Sequence, residues 1–310
     1  MRNKRLIGKY DVGNIGPLVI CFGAMHGNEP AGVRAIELVL KMLDVEHIKN
    51  HDFSYRGRFI GIIGNLKAYE QEKRFLSKDM NRQFYLENIK ALSHKDKLDA
   101  EDEEVQDILQ LIDNEIKEYK PERVIIIDLH TTSSFGGIFT ICKNQPEQVD
   151  VALGLCAPVV LGIAEGLVGT TLHYFTTEQL GVDTTCISFE SGQHNEDKSV
   201  NRAIAGVICM LREVGAVKRD DVENLHETIL QSYTDGLPKL TKLVDHFIIG
   251  PADEFKMKLG FTNFQKISQG ELLATMNGED VFASQDGLIL MPLYQDQGED
   301  GFFIVQEMKV

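Results

Sequence analysis

Four short stretches of this 310-residue chain carry side chains suited to hydrolytic chemistry. The first is His26-Gly-Asn-Glu29, an imidazole and a carboxylate three positions apart, directly after the apolar run 17–25. A turn at the end of a strand can aim both side chains at one point, and that donor pair suits zinc. The pair also reads as a strand-end histidine beside a glutamate favoured by a helix N-terminus. The second stretch is Asp128-Leu-His130, which closes the most apolar strand pattern in the chain. Residues two apart on a strand share a face, and open α/β sheets place their sites at the carboxyl ends of strands. His130 added to His26 and Glu29 makes a His2Glu set with a fourth position open to water, the pattern of catalytic zinc. Asp128 then suits a carboxylate that orients a ligand imidazole through its other nitrogen.

The third stretch is Arg74 followed by Lys78-Asp-Met-Asn-Arg82. A guanidinium matches a carboxylate or a developing oxyanion, and Asn81 can add a hydrogen bond. A solvated basic loop is the other reading. The fourth is Phe189-Glu190-Ser-Gly192, again a carboxylate at the end of an apolar strand.

The elements that must position these groups follow from the hydrophobic pattern. Residues 17–25 and 58–65 read as buried strands, 31–43 as a helix opened by Pro30, and 66–100 as a long polar loop with short helices. An acidic helix over 101–119 is ended by Pro121, and strands follow at 123–130 and 184–190, with a helix at 199–214. That alternation predicts an α/β fold whose mixed, partly parallel sheet is flanked by helices. After residue 215 short strands are punctuated by Gly250-Pro251, Asn277-Gly278 and Asp286-Gly287, with no long amphipathic helix evident. A catalytic α/β domain over 1–215 and a smaller β-rich domain over 216–310, capping the cleft, are expected.

In this order, "GAMHGNEPAG", "RFLSKDMNR", "IDLHTT" and "FESGQ", with the β-rich stretch around "QGELLATMNGEDVFASQDGLILMPL", resemble the succinylglutamate desuccinylase/aspartoacylase family of the zinc carboxypeptidase superfamily. The resemblance spans nearly the whole chain. It implies a zinc-carboxypeptidase-like fold and one zinc per chain on His26, Glu29 and His130. It further implies Glu190 as general base, Arg74 polarising the scissile carbonyl, and Asn81 and Arg82 gripping a substrate carboxylate. The implied activity is removal of an acyl group from a small anionic N-acyl amino acid. A metallocarboxypeptidase acting on small peptides and an inactive metal-binding protein are the alternatives. The family places a C-terminal tyrosine near the substrate, for which Tyr294 is the candidate. Aspartoacylases also carry an arginine about ten residues before the base glutamate. Leu180 stands there in this chain, and no arginine lies between Arg123 and Arg202, which disfavours N-acetylaspartate.

Composition bounds the partners. With 32 Lys and Arg against 47 Asp and Glu, the net charge is −15, which disfavours nucleic acid and anionic membranes. Apolar runs fall short of a membrane span, and the basic start is cut off from the first apolar run by polar residues, unlike an export signal. Five scattered cysteines without CxxC spacing suit a reduced, cytoplasmic protein. A homo-oligomer is left open. His47, His51 and His94 read as solvated, His194 as a surface-loop histidine with cleft lining as the alternative, and Cys186 as core packing.

Overall fold

The structure, a computed structural model, describes residues 5–222 and 225–308. Strand β1 (Leu6–Asp11) precedes β2 (Leu18–Gly23), helix α1 (Ala31–Lys49) and β3 (Arg58–Ile63). After the polar loop come α2 (Ala100–Tyr119), β4 (Arg123–Thr132), β5 (Phe139–Ile141), β6 (Val159–Leu161), β7 (Asp183–Gln193) and α3 (Asp197–Glu213). The remainder is α4 (Leu225–Thr234), β8 (Leu240–Ile248), β9 (Phe255–Met257), β10 (Gln265–Ile267), β11 (Leu272–Met276), β12 (Glu279–Phe282), β13 (Gly287–Leu290) and β14 (Asp300–Glu307).

Eleven strands form one mixed sheet in the order β1-β3-β2-β4-β7-β5-β6-β8-β14-β13-β10. Its centre, β3-β2-β4-β7, is parallel. These strands are buried on both faces, which is why they read as continuous apolar runs. One face packs on α1 and α3 through Ala35, Ile36, Val39, Val207, Ile208 and Leu211. The other packs on α2 through Val105, Ile108 and Ile112, with Phe22, Ile60, Ile62 and Phe84. Helix α2 starts at a capping box between Asp99 and Asp102 and stops at Lys120 in the left-handed conformation (φ 54°), just before Pro121.

The sequence expectation and the structure differ at three places. Strand β1 forms an antiparallel edge on β3 that the short pattern 6–11 did not announce. The C-terminal strands β8, β14, β13 and β10 continue the main sheet rather than forming a sheet of their own, because β8 pairs in parallel with β6. Only β12-β11-β9 make a separate antiparallel sheet. The ten-residue helix α4 was not announced either, in a stretch that reads as mostly β.

Candidate active site

Strand parity decides which side chains meet. On β4, Val124 and Ile126 pack on the α2 face and Ile125, Ile127 and Leu129 on the opposite one. Asp128 and His130, continuing the even series, therefore emerge on the α2 side. On β7 Cys186 lies on that same side and Ile187 and Phe189 on the other, so Ser188 and Glu190 follow Cys186. The parallel register pairs Asp128 with Ser188 and His130 with Glu190, putting the Glu190 carboxyl and the His130 imidazole on adjacent strands at one level.

His26 arrives from the turn after β2. Ala24 there holds a left-handed backbone (φ 53°), a costly conformation for a residue with a Cβ, and one that turns the chain sharply toward the cleft. Gly27 follows, where a Cβ would lie 2.3 Å from the backbone of Ala68 and Tyr69. Its N–H donates to the Arg74 carbonyl (3.1 Å), so the absence of a side chain lets the histidine turn dock on the arginine loop.

His26, Glu29 and His130 are all buried, and their ligand atoms lie within 4.8 Å of one another. His26 Nδ1 is 2.9 Å from Glu29 Oε1, and His130 Nδ1 is 3.3 Å from Glu29 Oε2. The Thr131 N–H also donates to Glu29 Oε2 (2.9 Å). Burial alone would raise the Glu29 carboxyl, but the two imidazoles outweigh it and hold it well below the usual carboxylate range. His130 shows the mirror image: burial opposes its charge, and Asp128 and Glu29 override this and raise it well above normal. His130 Nε2 lies 3.0 Å from Asp128 Oδ2, which accepts from the Thr171 hydroxyl (2.7 Å).

Two imidazoles and an ionised carboxylate converging in a buried space form a donor set that fits a divalent cation. Buried atoms around the centre point the same way. Glu190 Oε2 and Asp128 Oδ1 have no hydrogen-bond partner among the described residues. Burial pushes the Glu190 carboxyl up to about 7, with the field of His130 offsetting part of that rise.

The loop 74–82 supplies the other wall. Arg74 reaches Asp79 (3.1 Å) and Glu29 (3.6 Å). Asn81 accepts from the Thr171 N–H (3.1 Å), and Arg82 pairs with Asp300 (2.5 Å). Two adjoining cavities share His26, Arg74, His130, Glu190, Met291 and Asp300 in their walls, and one of them also includes Asn81 and Arg82.

Three residues that sequence reasoning passed over organise this loop. Asp79 bridges His26 Nε2 (3.2 Å) and Arg74, and also accepts from the Asn81 N–H (2.8 Å). Fully buried Glu101, at the start of α2, accepts backbone N–H groups from Leu76, Ser77 and Lys78. Asp300 joins Arg82 to His246 (2.8 Å). The acidic start of α2 was a visible signal for Glu101, whereas nothing local marks Asp300.

Other candidates lie elsewhere. The Tyr294 hydroxyl accepts from the Phe261 N–H (2.9 Å) and faces the carbonyls of Lys258 and Phe261, and the ring lines a wider outer cleft rather than the inner cavities. Leu180 packs with the apolar cluster beside Val182 and does not line the cavities. His194 is not a solvated loop residue. Its ring is half-buried and bridges the Thr131 hydroxyl (2.7 Å) and Gln295 (3.2 Å), because β7 runs three residues past Glu190 and carries it back over β4. His47, His51 and His94 are exposed, and Cys186 is buried with its thiol pushed well up by burial.

Comparison with known proteins places these residues in a family context. Residues 15–227 match the model of the succinylglutamate desuccinylase/aspartoacylase catalytic domain. A succinylglutamate desuccinylase from Shewanella denitrificans is 25% identical over 292 residues, covering 86% of this chain and 74% of that protein. A probable aspartoacylase from a Nostoc species is 30% identical over 139 residues, covering 45% of this chain and 42% of that protein. Among solved structures, the succinylglutamate desuccinylase from Chromobacterium violaceum superposes with a TM-score of 0.62 at 18% identity, over 96% of this chain and 86% of that one.

Proposed function

The chain belongs to the succinylglutamate desuccinylase/aspartoacylase family, and we propose that it is a zinc-dependent amidohydrolase that removes the acyl group from an N-acyl amino acid. The convergence of His26, Glu29 and His130 within 4.8 Å, one strand away from Glu190, carries this reading. One zinc per chain would be held by those three residues. When bound, it would supply a water whose pKa falls from roughly 15.7 to about 7 and a Lewis acid for the amide carbonyl.

The chain's own residues account for the rest. Glu190 takes the proton of the attacking water on a carboxylate oxygen and delivers it to the departing amine nitrogen. Burial favours the neutral form of this carboxyl and so helps it take up the proton. Arg74, held in place by Asp79, faces the charge that develops on the carbonyl oxygen. Asn81 and Arg82 bind the amino-acid carboxylate, and Asp128, backed by Thr171, fixes the His130 ring.

The segment 291–300 lines both inner cavities, which supports a small substrate over a peptide entering from solution. Glu190 and Arg74 are both present at the centre, which supports an active enzyme over an inactive metal-binding protein. All five cysteines are free, in keeping with a reducing cytoplasm. The test is to assay a panel of N-acyl amino acids beside a small peptide with a free C-terminus, with metal content measured on the same sample. Release of the acyl group from panel members, in proportion to bound zinc, is the expected result. Cleavage of the peptide alone would replace the deacylase reading with the carboxypeptidase one.

A further inference from the structure

Arg82, assigned above to a substrate carboxylate, already has an anionic partner. Its guanidinium lies 2.5 Å from Asp300 Oδ2, and the other oxygen of Asp300 lies 2.8 Å from His246 Nε2. His246 in turn stacks on Phe303, with ring centroids 4.4 Å apart. The carboxylate is thus fixed from behind by β8 and β14 and presented to the cavity that Glu190 lines. Burial would raise the Asp300 carboxyl, but His246 and Arg82 hold it below the usual range, so it is ionised at neutral pH. Arg74 is likewise matched, by Asp79 and Glu29.

Each cavity arginine therefore has an anionic partner before any substrate enters, Asp79 for Arg74 and Asp300 for Arg82. A second substrate carboxylate would find both arginines already paired in a largely desolvated space. One carboxylate can share the Arg82 fork, which carries five donors, and an ammonium can lie against Asp300. The same cavity is also lined by the aliphatic side chains of Ile141, Ile163, Ala164, Leu167 and Leu172, with Thr170 and Ser188 among them as small hydroxyls. A guanidinium and a carboxylate side by side, with such a lining, complement a molecule with a carboxylate, an ammonium and a methylene stem.

We propose that Asp300 is the specificity-determining residue of this site and that the substrate is an N-acyl diamino acid, its carboxylate on Arg82 and its free ammonium on Asp300. This rests on the deacylase reading. The same chemistry is presented by Nα-acyl compounds, whose side-chain amine is free, and by ω-N-acyl compounds, whose α-amine is free.

Steady-state kinetics on the zinc-loaded full-length protein tests it with Nα-acetyl-lysine, Nε-acetyl-lysine and the uncharged isostere N-acetylnorleucine. One of the two lysine derivatives should exceed the norleucine compound at least tenfold in kcat/KM, roughly the value of one hydrogen bond to a charged group. The better one identifies which amine meets Asp300. Asp300→Asn should abolish that preference, bringing the ratio of kcat/KM between the lysine derivative and N-acetylnorleucine to within about threefold of one. Calorimetric binding of free lysine against free norleucine should show the same preference in wild type and lose it in the variant, independently of turnover. Wild type preferring N-acetylnorleucine would overturn the proposal, as would equal losses on all substrates in Asp300→Asn, which would reduce Asp300 to a prop for Arg82. Cleavage of no N-acyl compound would overturn the deacylase reading itself, whereas cleavage without charge preference overturns only the role of Asp300.

Discussion

The site is built from two regions that hold their side chains by different means. His130 and Glu190 stand at the ends of adjacent parallel strands, paired in register and fixed by a backbone buried on both faces. Arg74, Asn81, Arg82 and Asp300 stand on a loop and at the start of an edge-side strand, and their positions depend on ion pairs that cross the molecule. Arg82 and Asp300 are 218 positions apart in the chain. On the function proposed above, the strand-borne half serves the chemistry and the loop-borne half the choice of substrate. Substitutions in the first half should therefore act on kcat or metal, and those in the second on substrate choice.

The sharpest break is expected at Glu190. Glu190→Gln keeps size and most hydrogen bonding but cannot accept a proton, so kcat should fall by about 10²–10⁴ with zinc retained and KM little changed. The wild-type rate should also fall as the pH drops through an acid limb at or below about 7, because the ionised carboxylate is the working base and protonation removes it. That limb should vanish in the variant's residual rate. Loss of zinc in Glu190→Gln would make it a ligand and erase the division of labour.

Substrate charge probes the loop-borne half. N-acetylaspartate should be at least ~100-fold poorer in kcat/KM than N-acetyl derivatives of neutral amino acids, since its second carboxylate would be buried without a free cation. Leu180 itself lies outside the cavities, and the preference rests instead on Asp79 and Asp300 already pairing Arg74 and Arg82. N-acetylaspartate proving the best of a broad panel would end this argument.

Asp79 joins the two halves, touching His26 on one side and Arg74 on the other. Asp79→Asn should weaken zinc roughly 10–100-fold in chelator competition, the usual cost of losing a carboxylate behind a ligand histidine. Unchanged affinity would confine Asp79 to the arginine side.

The smallest effect is expected at Tyr294. Its hydroxyl is tied to the 258–261 backbone, so Tyr294→Phe should cost about 1 kcal/mol of stability by denaturant titration. Its kcat/KM should stay within about threefold of wild type, and a larger drop would bring the ring into the substrate site.

The two regions also differ in how legible they were. His26, Glu29, His130 and Glu190 stood out because each follows an apolar run, and strand periodicity fixes which face a residue takes. Arg74, Asn81 and Arg82 were visible as a cluster of types, but their partners were not. Asp79 lies between Arg74 and Asn81 without a signal of its own, and Asp300 opens β14 just after Gly298 with no local pattern. His194 was misplaced because its partners come from two distant segments. Pairings across 100 or 200 residues arise from sheet topology, and the joining of β8 to β6 was itself invisible in the pattern.

The most direct test of the central claim is zinc content, measured by elemental analysis beside deacylase activity, in wild type, His26→Ala and His130→Ala. About one zinc per wild-type chain is predicted, with metal and activity lost together in both variants. Full zinc occupancy in either variant would contradict the proposed centre.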